Sequence, residues 1–222
     1  MSEAEDFAAV LASRFGQCGE LSPGVVSELF RHYCLLLRWN RRMNLTSISG
    51  MEEAVVRHYC ESLFLGVQLP AAAVSVLDVG SGAGFPGVPV AILRPDCTVT
   101  LAESHRRKAV FLREATRHLA NVRVAACRAE EVEGRFDWVV SRAVKWVDVL
   151  KVARHSGAAA REGGVAGGSS AEGSGAAVGL LLGEEDAEAM RVGEEGSFEW
   201  CEALHLPWGN RRVLMVGRCR RS

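Results

Sequence analysis

The sequence lacks long apolar runs and cysteine pairs. No uninterrupted apolar stretch approaches the roughly 18 residues that a membrane span requires, and the acidic start Met1–Asp6 is unlike the basic start of a signal peptide. The seven cysteines are scattered without a C-x-x-C pair. This pattern favours reduced thiols over disulfides or a zinc site. We therefore expect a cytoplasmic protein with no membrane partner.

The chain also lacks a strong net charge. Its 26 Lys and Arg residues and 27 Asp and Glu residues leave a formal charge of −1, which is not typical of a general nucleic-acid binder. Local basic patches on a neutral chain nevertheless fit a selective RNA partner, although many such patches are only solvated faces. Basic residues cluster beside Trp39 and at the C-terminus, as Arg38, Arg41 and Arg42, and as Arg211, Arg212, Arg218, Arg220 and Arg221.

A glycine-rich turn after an apolar run is the most informative feature that is present. Val74–Val79 is apolar and β-branched, as expected of a strand covered on both faces, and it contains Asp78. Glycines follow at positions 80, 82, 84 and 87, with Pro86 before the last. We predict a buried strand that turns into a helix near Pro86 while its backbone passes close to a ligand.

Three interpretations of this turn compete. Gly82–Gly87 fits the dinucleotide pattern G-x-G-x-x-G, and Glu103 follows at about the distance of a ribose-binding acid. A pyrophosphate, however, favours N–H groups without a neighbouring anion, whereas Asp78 stands here and the turn holds no Lys or Arg. A carboxylate suits the ammonium and sulfonium of S-adenosylmethionine. We favour this methyl donor over a dinucleotide and over a glycine-rich turn without a ligand.

Strands and helices alternate after the turn, which predicts an α/β fold with a doubly wound parallel sheet. Ligands bind at the carboxyl ends of such strands. Asp78, Glu103, Arg128 and Arg142 all fall at or just beyond these ends, so we expect them to converge. Beyond 74–79, the predicted strands are 97–102, 122–126, 136–141 and 180–182, followed by an antiparallel hairpin of 198–206 and 213–216 around a turn at 207–210.

The chain divides by composition into two parts. Residues 1–72 are helical in pattern, with a helix opened by Ser22-Pro23 and shorter helices predicted at 51–59 and 63–69. Residues 73–222 form the predicted methyltransferase domain. Within it, residues 158–179 are rich in Gly, Ala and Ser without apolar periodicity, which indicates a flexible insertion.

Four motifs occur in order along the chain: Trp39-Asn40-x-x-x-Asn44-Leu45-Thr46-Ser47, Arg57-His58-x-x-x-Ser62-Leu63, Asp78-Val-Gly80-x-Gly82-x-Gly84-Phe85-Pro86-Gly87, and Ser141-Arg142-Ala143. The glycine motif alone indicates only a methyltransferase. Together, over about residues 25–218, the motifs resemble the RsmG (GidB) family of bacterial small-subunit rRNA (guanine-N7)-methyltransferases.

The resemblance implies a class I, Rossmann-like methyltransferase with a mostly parallel, seven-stranded sheet and an N-terminal helical extension. Its cofactor would be S-adenosyl-L-methionine. Its activity would be methylation of N7 of the guanine at position 527, in the 530 loop of 16S rRNA. Its partner would be this rRNA or the small ribosomal subunit, and the protein would be a monomer.

The resemblance, with the basic clusters, also implies roles for individual residues. The residues expected against the methyl donor are Asp78, Gly80, Gly82, Gly84, Phe85, Glu103 (on the ribose hydroxyls), Ala129, Glu130 and Arg142. Those expected to position the substrate are Arg142, Arg128 and Arg211. Those expected to contact RNA are Arg38, Arg41, Arg42, Arg57, His58, Arg211 and Arg212. The family usually carries L-K-G after the fifth strand, whereas this chain has Leu181-Leu182-Gly183, so that lysine is absent.

The sequence lacks recognisable catalytic and metal-binding motifs, and methylation of guanine N7 does not require them. N7 presents an unprotonated lone pair, so no general base is needed, and the enzyme must mainly orient two reactants. No Ser/His/Asp or Cys/His arrangement is apparent, and none of the six histidines suggests a metal site. Methylation of exocyclic amines commonly uses an Asn/Asp-Pro-Pro-aromatic element after the fourth strand, and methylation of cytosine C5 uses a cysteine there. Ser141–Val144 supplies neither.

Several roles stay open from the sequence. Arg142 could donate to guanine O6, to a phosphate or to the carboxylate of the methyl donor, or pair with Glu130 or Asp137 for structure alone. Packing is favoured over base stacking for Trp39, and His58 is either a helix-terminus donor or an RNA contact. Two other functions compete: a catalytically silent rRNA-binding or ribosome-binding protein, and a methyltransferase of small molecules or proteins.

Overall fold

A computed structural model describes residues 2–156, 176–193, 196–209 and 211–220. Most of the predicted insertion, residues 158–175, lies outside the described residues, as do Asn210 in the predicted hairpin turn and Arg221 in the C-terminal basic cluster. Within the described ranges, no helix is long and apolar enough to cross a membrane.

Two helices open the chain, α1 (Glu3–Phe15) and α2 (Pro23–Met43). α2 begins where Ser22-Pro23 predicts, because the Ser22 hydroxyl accepts the N–H of Val25 and proline tolerates the first turn. It ends at Asn44, which takes the left-handed conformation at φ 49° and ψ 54°. Asparagine is one of the few residues that adopts this conformation readily.

A continuous helix then replaces the two short helices predicted at 51–59 and 63–69. It consists of α3 (Met51–Ala54), a π-helical segment (Val55–Cys60) and α4 (Glu61–Gln68). The backbone stays helical across both junctions, with φ −63° at Ala54 and −59° at Glu61. Segments of this type are rare and are found frequently at functional sites.

The described residues form one sheet of eight strands: β1 (Ser75–Val79), β2 (Thr98–Ala102), β3 (Val122–Ala125), β4 (Trp138–Arg142), β5 (Ala177–Gly183), β6 (Phe198–Trp200), β7 (Leu204–His205) and β8 (Arg212–Cys219). The strand order is β3-β2-β1-β4-β5-β8-β6, and β7 also pairs with β8. The first five strands are parallel, and β8 runs antiparallel to β5. The predicted doubly wound sheet is therefore confirmed, with an antiparallel hairpin at its end.

The sheet has eight strands rather than the expected seven because the predicted strand 198–206 is broken. β6 and β7 both pair with β8, but their registers differ by one residue: Phe198 lies opposite Cys219, whereas Leu204 lies opposite Leu214. The extra residue falls within 201–203 and forms a bulge. Period-two alternation cannot reveal such an insertion in advance.

β5 begins earlier than predicted, at Ala177 rather than Leu180. The end of the predicted insertion is therefore strand, and Val178 in it is fully buried. A Cβ on Gly179 would make only an ordinary contact, at 3.5 Å from a methyl group of Leu65, so the packing here does not require glycine. Glycine-rich composition hid this strand from the sequence analysis.

Helices cover both faces of the sheet: α5 (Gly87–Leu93), α6 (Arg106–Thr116), α7 (Trp146–Ser156) and α8 (Glu184–Gly193). Successive residues of a strand point to opposite faces of the sheet, so alternate residues pack in two separate cores. Val76 and Val140 pack in a core that includes the N-terminal helices, while Leu77 and Val139 pack in a core with α7 and α8. Residues 1–72 thus share a core with the sheet, and the domain boundary at 72/73 stays a prediction.

α2 and α6 pack antiparallel to each other. Near the start of α2, Glu28 meets His118, just beyond the end of α6, at 2.5 Å. Near the end of α2, the Trp39 ring lies 5.8 Å from the Phe111 ring. Trp39 is therefore a packing residue. The end of α2 and the start of α6 consequently lie at the same edge of the protein, which is the edge where β2 ends.

Asn121 gives a test of the fold. Its Nδ2 group donates to the carbonyls of Ala91, Arg94 and Cys97 at 2.9, 3.2 and 3.0 Å. The isosteric change Asn121→Asp puts a carboxylate against three carbonyl oxygens. We expect it to lower the free energy of unfolding at pH 7 by about 2–3 kcal/mol in urea denaturation. Arg123→Gln, on an exposed position of β3, should stay within about 0.5 kcal/mol of the parent protein; an equal loss in both variants would contradict the assignment.

Candidate active site

The glycine turn bends the chain sharply after β1 and brings the start of α5 back beside this strand. Gly80 has φ +69°, a left-handed conformation that glycine adopts without strain. The N–H groups of Gly80 and Ser81 donate to the Ala102 carbonyl at the end of β2, at 3.0 and 3.1 Å. At the far end of the turn, a Cβ on Gly87 would lie 2.3 Å from a methyl group of Leu101 and 2.6 Å from the Asp78 carboxylate. The turn is thus shaped by close backbone approach.

Asp78 is completely buried under this turn. Its Oδ2 accepts the N–H of Gly87 at 3.0 Å, which ties the start of α5 to β1. Its Oδ1 is buried without a hydrogen-bond partner among the described residues. Burial raises the pKa of Asp78 to about 7, because the charged form loses its hydration. A buried carboxylate oxygen without a partner is suited to a cationic ligand.

Glu103 follows the end of β2 and is also buried. Its two oxygens accept the N–H groups of Gly82, at 2.9 Å, and His105, at 2.7 Å. The carboxylate therefore joins the glycine turn to the start of α6. Each carboxylate oxygen has a further lone pair, so these bonds leave capacity for the ribose hydroxyls that the resemblance implies.

The next strand end holds the other residues expected near the methyl donor. Ala129 and Glu130 lie in a short 3₁₀ turn (Ala129–Glu131) after β3, and Arg128 precedes it. Ala129 is buried, whereas Arg128 and Glu130 are exposed. Parallel pairing of β1 with β2, and of β2 with β3, puts these residues at the same edge as Asp78 and Glu103.

Arg142 ends β4 and reaches across to the π-helical segment. Its Nη1 donates to the Arg57 carbonyl at 2.6 Å and to Nδ1 of His58 at 2.8 Å. The alternative that Arg142 pairs with Glu130 or Asp137 for structure does not match these contacts. Asp137 is occupied elsewhere, since its Oδ2 accepts the N–H groups of Val74 and Ser75 at 3.0 and 2.9 Å.

His58 connects Arg142 to the first motif. Its Nε2 lies 2.8 Å from the Thr46 hydroxyl oxygen. Asn40 in turn holds the Thr46 backbone on both sides: Nδ2 donates to the Thr46 carbonyl and Oδ1 accepts the Thr46 N–H, each at 2.9 Å. Ser62, from the second motif, donates to the His58 carbonyl at 2.5 Å. The first, second and fourth motifs are therefore one hydrogen-bond network.

Phe85 brings the glycine motif into the same network. Its ring stacks on the His58 ring at 4.5 Å between centroids and 22° between planes. The Arg142 guanidinium carbon lies over the same ring at 5.1 Å. All four motifs thus meet at one place, between the ends of β1 and β4.

Two residues differ from their predicted roles. His58 is buried in the middle of a continuous helix, so it lies neither at a helix terminus nor on a surface that RNA could reach. Arg212 is also not free, since its Nη2 donates to the buried carboxylate of Glu61 at 3.0 Å. Local sequence patterns reveal neither contact, because the partners of His58 and Arg212 come from distant parts of the chain.

The remaining arginines expected at RNA are exposed. Arg57 pairs with Glu53 at 3.4 Å, and Arg211 pairs with Glu184 and Glu185 at 3.2 and 3.4 Å. By contrast, no described residue forms a salt bridge with the other three, which lie in the last two turns of α2: Arg38, Arg41 and Arg42.

The position of the absent lysine is settled by the fold. Leu182 lies in β5 and is 6% exposed, packed in the core with α7 and α8. This position therefore faces the interior of the protein.

His32 lies beside the candidate site and was not among the residues predicted from the sequence. It is buried, its Nδ1 lies 2.9 Å from the Tyr59 hydroxyl, and its ring meets Phe85 edge-on at 5.2 Å. Its Nε2 has no partner among the described residues, and burial lowers the pKa of His32 to about 4. The available signal was its spacing from Leu29 and Leu36, which places it on the apolar face of α2.

Comparison with solved structures identifies the fold. An S-adenosylmethionine-dependent methyltransferase from Aquifex aeolicus superimposes with a TM-score of 0.56 at 12% identity, over 75% of this chain and 93% of that one. The Methanococcus jannaschii fibrillarin pre-rRNA processing protein gives a TM-score of 0.53 at 14% identity, over 73% and 74%. The chain has the class I, Rossmann-like fold of S-adenosylmethionine-dependent methyltransferases.

Sequence comparison narrows this class. The chain belongs to the GidB family, described as rRNA small subunit methyltransferase G, whose model matches residues 26–164. A ribosomal RNA small subunit methyltransferase G from Xanthomonas campestris is 41% identical over 63% of this chain and 66% of its own length, just under two thirds. The protein of that name from Stenotrophomonas maltophilia is 42% identical over 71% and 74%.

The residues of the turn fit the cofactor of this class. S-Adenosylmethionine carries a cationic ammonium and sulfonium and two ribose hydroxyls. Asp78 offers a buried oxygen without a partner, and Glu103 offers acceptor capacity at the end of β2. We find no group of three or more His, Cys, Asp or Glu side chains in the described ranges that could hold a metal ion.

The pKa of Asp78 predicts a pH dependence of stability. The folded pKa is about 7, above the unfolded value of roughly 3.9, so the native state binds more protons between these values. The free energy of unfolding of the ligand-free protein should therefore fall as pH rises from about 4 to about 7. Asp78→Asn has no charge to bury and should lack this component in urea denaturation at a series of pH values. Equal slopes in the two proteins would contradict the assignment.

Proposed function

We propose that this protein transfers a methyl group from S-adenosylmethionine to N7 of a guanine in small-subunit rRNA, at position 527 in the 530 loop. The observation that carries the proposal is the convergence of four family motifs on Arg142 and Phe85 at the carboxyl edge of the sheet. Family membership and the names of the relatives support small-subunit rRNA as the substrate.

The site divides into a donor half and an acceptor half. Asp78 lies near the end of β1, while Glu103 and Ala129 follow β2 and β3, and these three residues would hold the methyl donor. Arg142 ends β4, on the other side of the point where the strand order reverses. Ligands bind at such points in sheets of this kind. When bound, S-adenosylmethionine supplies the electrophilic methyl group of its sulfonium.

Arg142 is poised to hold the acceptor base. Both hydrogens of Nη1 are taken by Arg57 and His58, while Nη2 and Nε make no hydrogen bond with the described residues. These atoms form one edge of the guanidinium. The usual arginine–guanine pair uses O6 and N7 together, but N7 must here face the methyl group. Arg142 would therefore donate to O6 and leave the N7 lone pair free.

No residue needs to remove a proton in this reaction. The lone pair of N7 is free at neutral pH, and the product carries a positive charge on the base. The contribution of the protein is then orientation and exclusion of water, which can supply up to about 7–11 kcal/mol. Burial lowers the pKa of His58 to about 3, so this neighbour of Arg142 stays neutral and does not add charge near the developing cation.

A basic surface beside the donor half would contact the RNA backbone. The antiparallel packing of α2 on α6 puts two sets of exposed arginines at the same edge: Arg38, Arg41 and Arg42 at the end of α2, and Arg106 and Arg107 at the start of α6. We call these five residues the basic rim. None forms a salt bridge with any described residue, so their charges are available to phosphates.

Mapping of N7-methylguanosine in 16S rRNA tests the proposed function. Reduction and aniline cleavage should give a stop in the 530 loop in cells that carry the gene, and the stop should vanish on deletion. Complementation with Arg142→Ala should reduce the mark about 100-fold or more, since both orientation and charge are lost. Arg142→Lys keeps the charge without the planar fork and should also be impaired.

Arg123→Gln, an exposed arginine on β3, is the matched control and should restore the mark fully. A stop that persists after deletion would show that another enzyme makes it. Retained rRNA binding without methyl-donor binding would instead favour the alternative of a catalytically silent ribosome-binding protein.

The basic rim predicts a salt dependence of RNA binding. For an rRNA fragment that contains the 530 loop, the double variant Arg41→Gln, Arg107→Gln should lower the slope of log K against log salt by about 0.7–0.9 per lost phosphate contact. Arg31→Gln is the control, because Arg31 lies on the same helix but near its start, 3.9 Å from Glu28. An unchanged slope in the double variant would place the RNA elsewhere.

A further inference from the structure

His58 is held on three sides in a buried position. Its Nδ1 receives a hydrogen bond from Arg142, its Nε2 meets the Thr46 hydroxyl, and its ring face lies on Phe85. Only 5% of the residue is exposed. Because both nitrogens of this buried imidazole are hydrogen-bonded, the ring has one orientation. That orientation in turn fixes the position of the guanidinium that the ring contacts.

The hydrogen bonds fix the tautomer of His58. A guanidinium can only donate, so Nδ1 must carry the lone pair and Nε2 must carry the proton. Nε2–H then donates to the Thr46 oxygen, which also accepts the N–H of Ile48 at 3.1 Å. Arg142, Arg57 and His32 are the charged or titratable groups that influence His58, and burial together with Arg142 holds its pKa near 3.

The network begins outside the reacting centre. Asn40 lies in the last turn of α2, beside the basic rim, and holds Thr46 through two hydrogen bonds. Thr46 orients His58, and His58 orients Arg142. Three residues of the N-terminal segment, two on helices and Thr46 in the loop between α2 and α3, thus determine where the free edge of an arginine on β4 points.

We propose that His58 is a positioning residue of the methyl-transfer reaction: its Nδ1 lone pair, oriented through Thr46 and Asn40, holds the Arg142 guanidinium over Phe85 in the geometry that receives the guanine. This inference rests on the proposed function. It assigns His58 no contact with RNA and no proton transfer. It also explains why a polar ring is buried where an apolar aromatic ring could stack on Phe85 equally well.

Two amide substitutions separate the two hydrogen bonds of His58. In His58→Asn the amide oxygen can take the place of Nδ1 and accept from Arg142, while the bond to Thr46 is lost. In His58→Gln the amide lies farther out, at the place of Nε2, so the bond to Arg142 is lost. Both variants remove the same stacking on Phe85, and each is therefore a control for the other.

We expect His58→Asn to keep kcat within about tenfold of the parent protein and His58→Gln to lose up to about 100-fold, with the rRNA affinity of both unchanged. Equal kcat values in the two variants at equal stability in urea denaturation would overturn the proposal. So would a loss confined to KM. If the parent protein does not methylate rRNA, the proposed function is refuted. The comparison between the two variants tests only the role of His58.

A second measurement is independent of activity. Nitrogen-15 NMR of the histidine rings should show an unprotonated Nδ1 and a protonated Nε2 on His58, unchanged between pH 5 and pH 8. In Arg142→Ala the donor to Nδ1 is gone, so the Nδ1 signal should shift. A His58 ring that carries its proton on Nδ1, or a signal that ignores Arg142→Ala, would contradict the hydrogen bond on which the proposal depends.

Thr46 extends the same test. Thr46→Ser keeps the hydroxyl, whereas the isosteric Thr46→Val removes the acceptor of Nε2–H. We expect a lower kcat in Thr46→Val only, with rescue in Thr46→Ser. Loss in both variants would show that the threonine methyl group, rather than the hydrogen bond, matters here.

Discussion

The hydrogen bond between Arg142 and His58 is the contact on which the rest of the site depends. It joins the end of β4 to the π-helical segment and, through Thr46 and Asn40, to the end of α2. Because the Phe85 ring lies under both partners, the glycine turn is held in the same assembly. The N-terminal segment therefore contributes residues to the candidate active site, and its helices share a core with the sheet.

The site is built from locally unfavourable features that the fold holds in place. Asp78 is a carboxylate with a buried oxygen that has no partner. Ala143, directly after Arg142, takes the left-handed conformation at φ +61°, which costs about 1–2 kcal/mol for a residue with a Cβ. The π-helical segment departs from ordinary helix geometry at Arg57 and His58. Such departures persist only where surrounding packing over-determines them, and they cluster where a ligand is bound.

Charge is distributed according to what each half of the site would bind. The donor half presents the carboxylates of Asp78 and Glu103, whereas the acceptor half presents the free edge of Arg142. The two histidines beside Phe85 are neutral, since burial lowers the pKa of His32 to about 4 and of His58 to about 3. These rings therefore add no charge beside Phe85, and the arginines at the surface carry the positive charge.

Local patterns were enough to predict the glycine turn, the alternation of strands and helices, and the convergence of Asp78, Glu103 and Arg142, because these follow from short-range periodicity and from the rule that parallel strands end at one edge. They were not enough to predict the partners of His58 and Arg212, the bulge between β6 and β7, or the continuous helix through Val55–Cys60. Each of these depends on contacts between residues far apart in the chain: His58 and Arg142 are 84 positions apart, and Glu61 and Arg212 are 151 apart. Packing alone decides which buried polar groups meet.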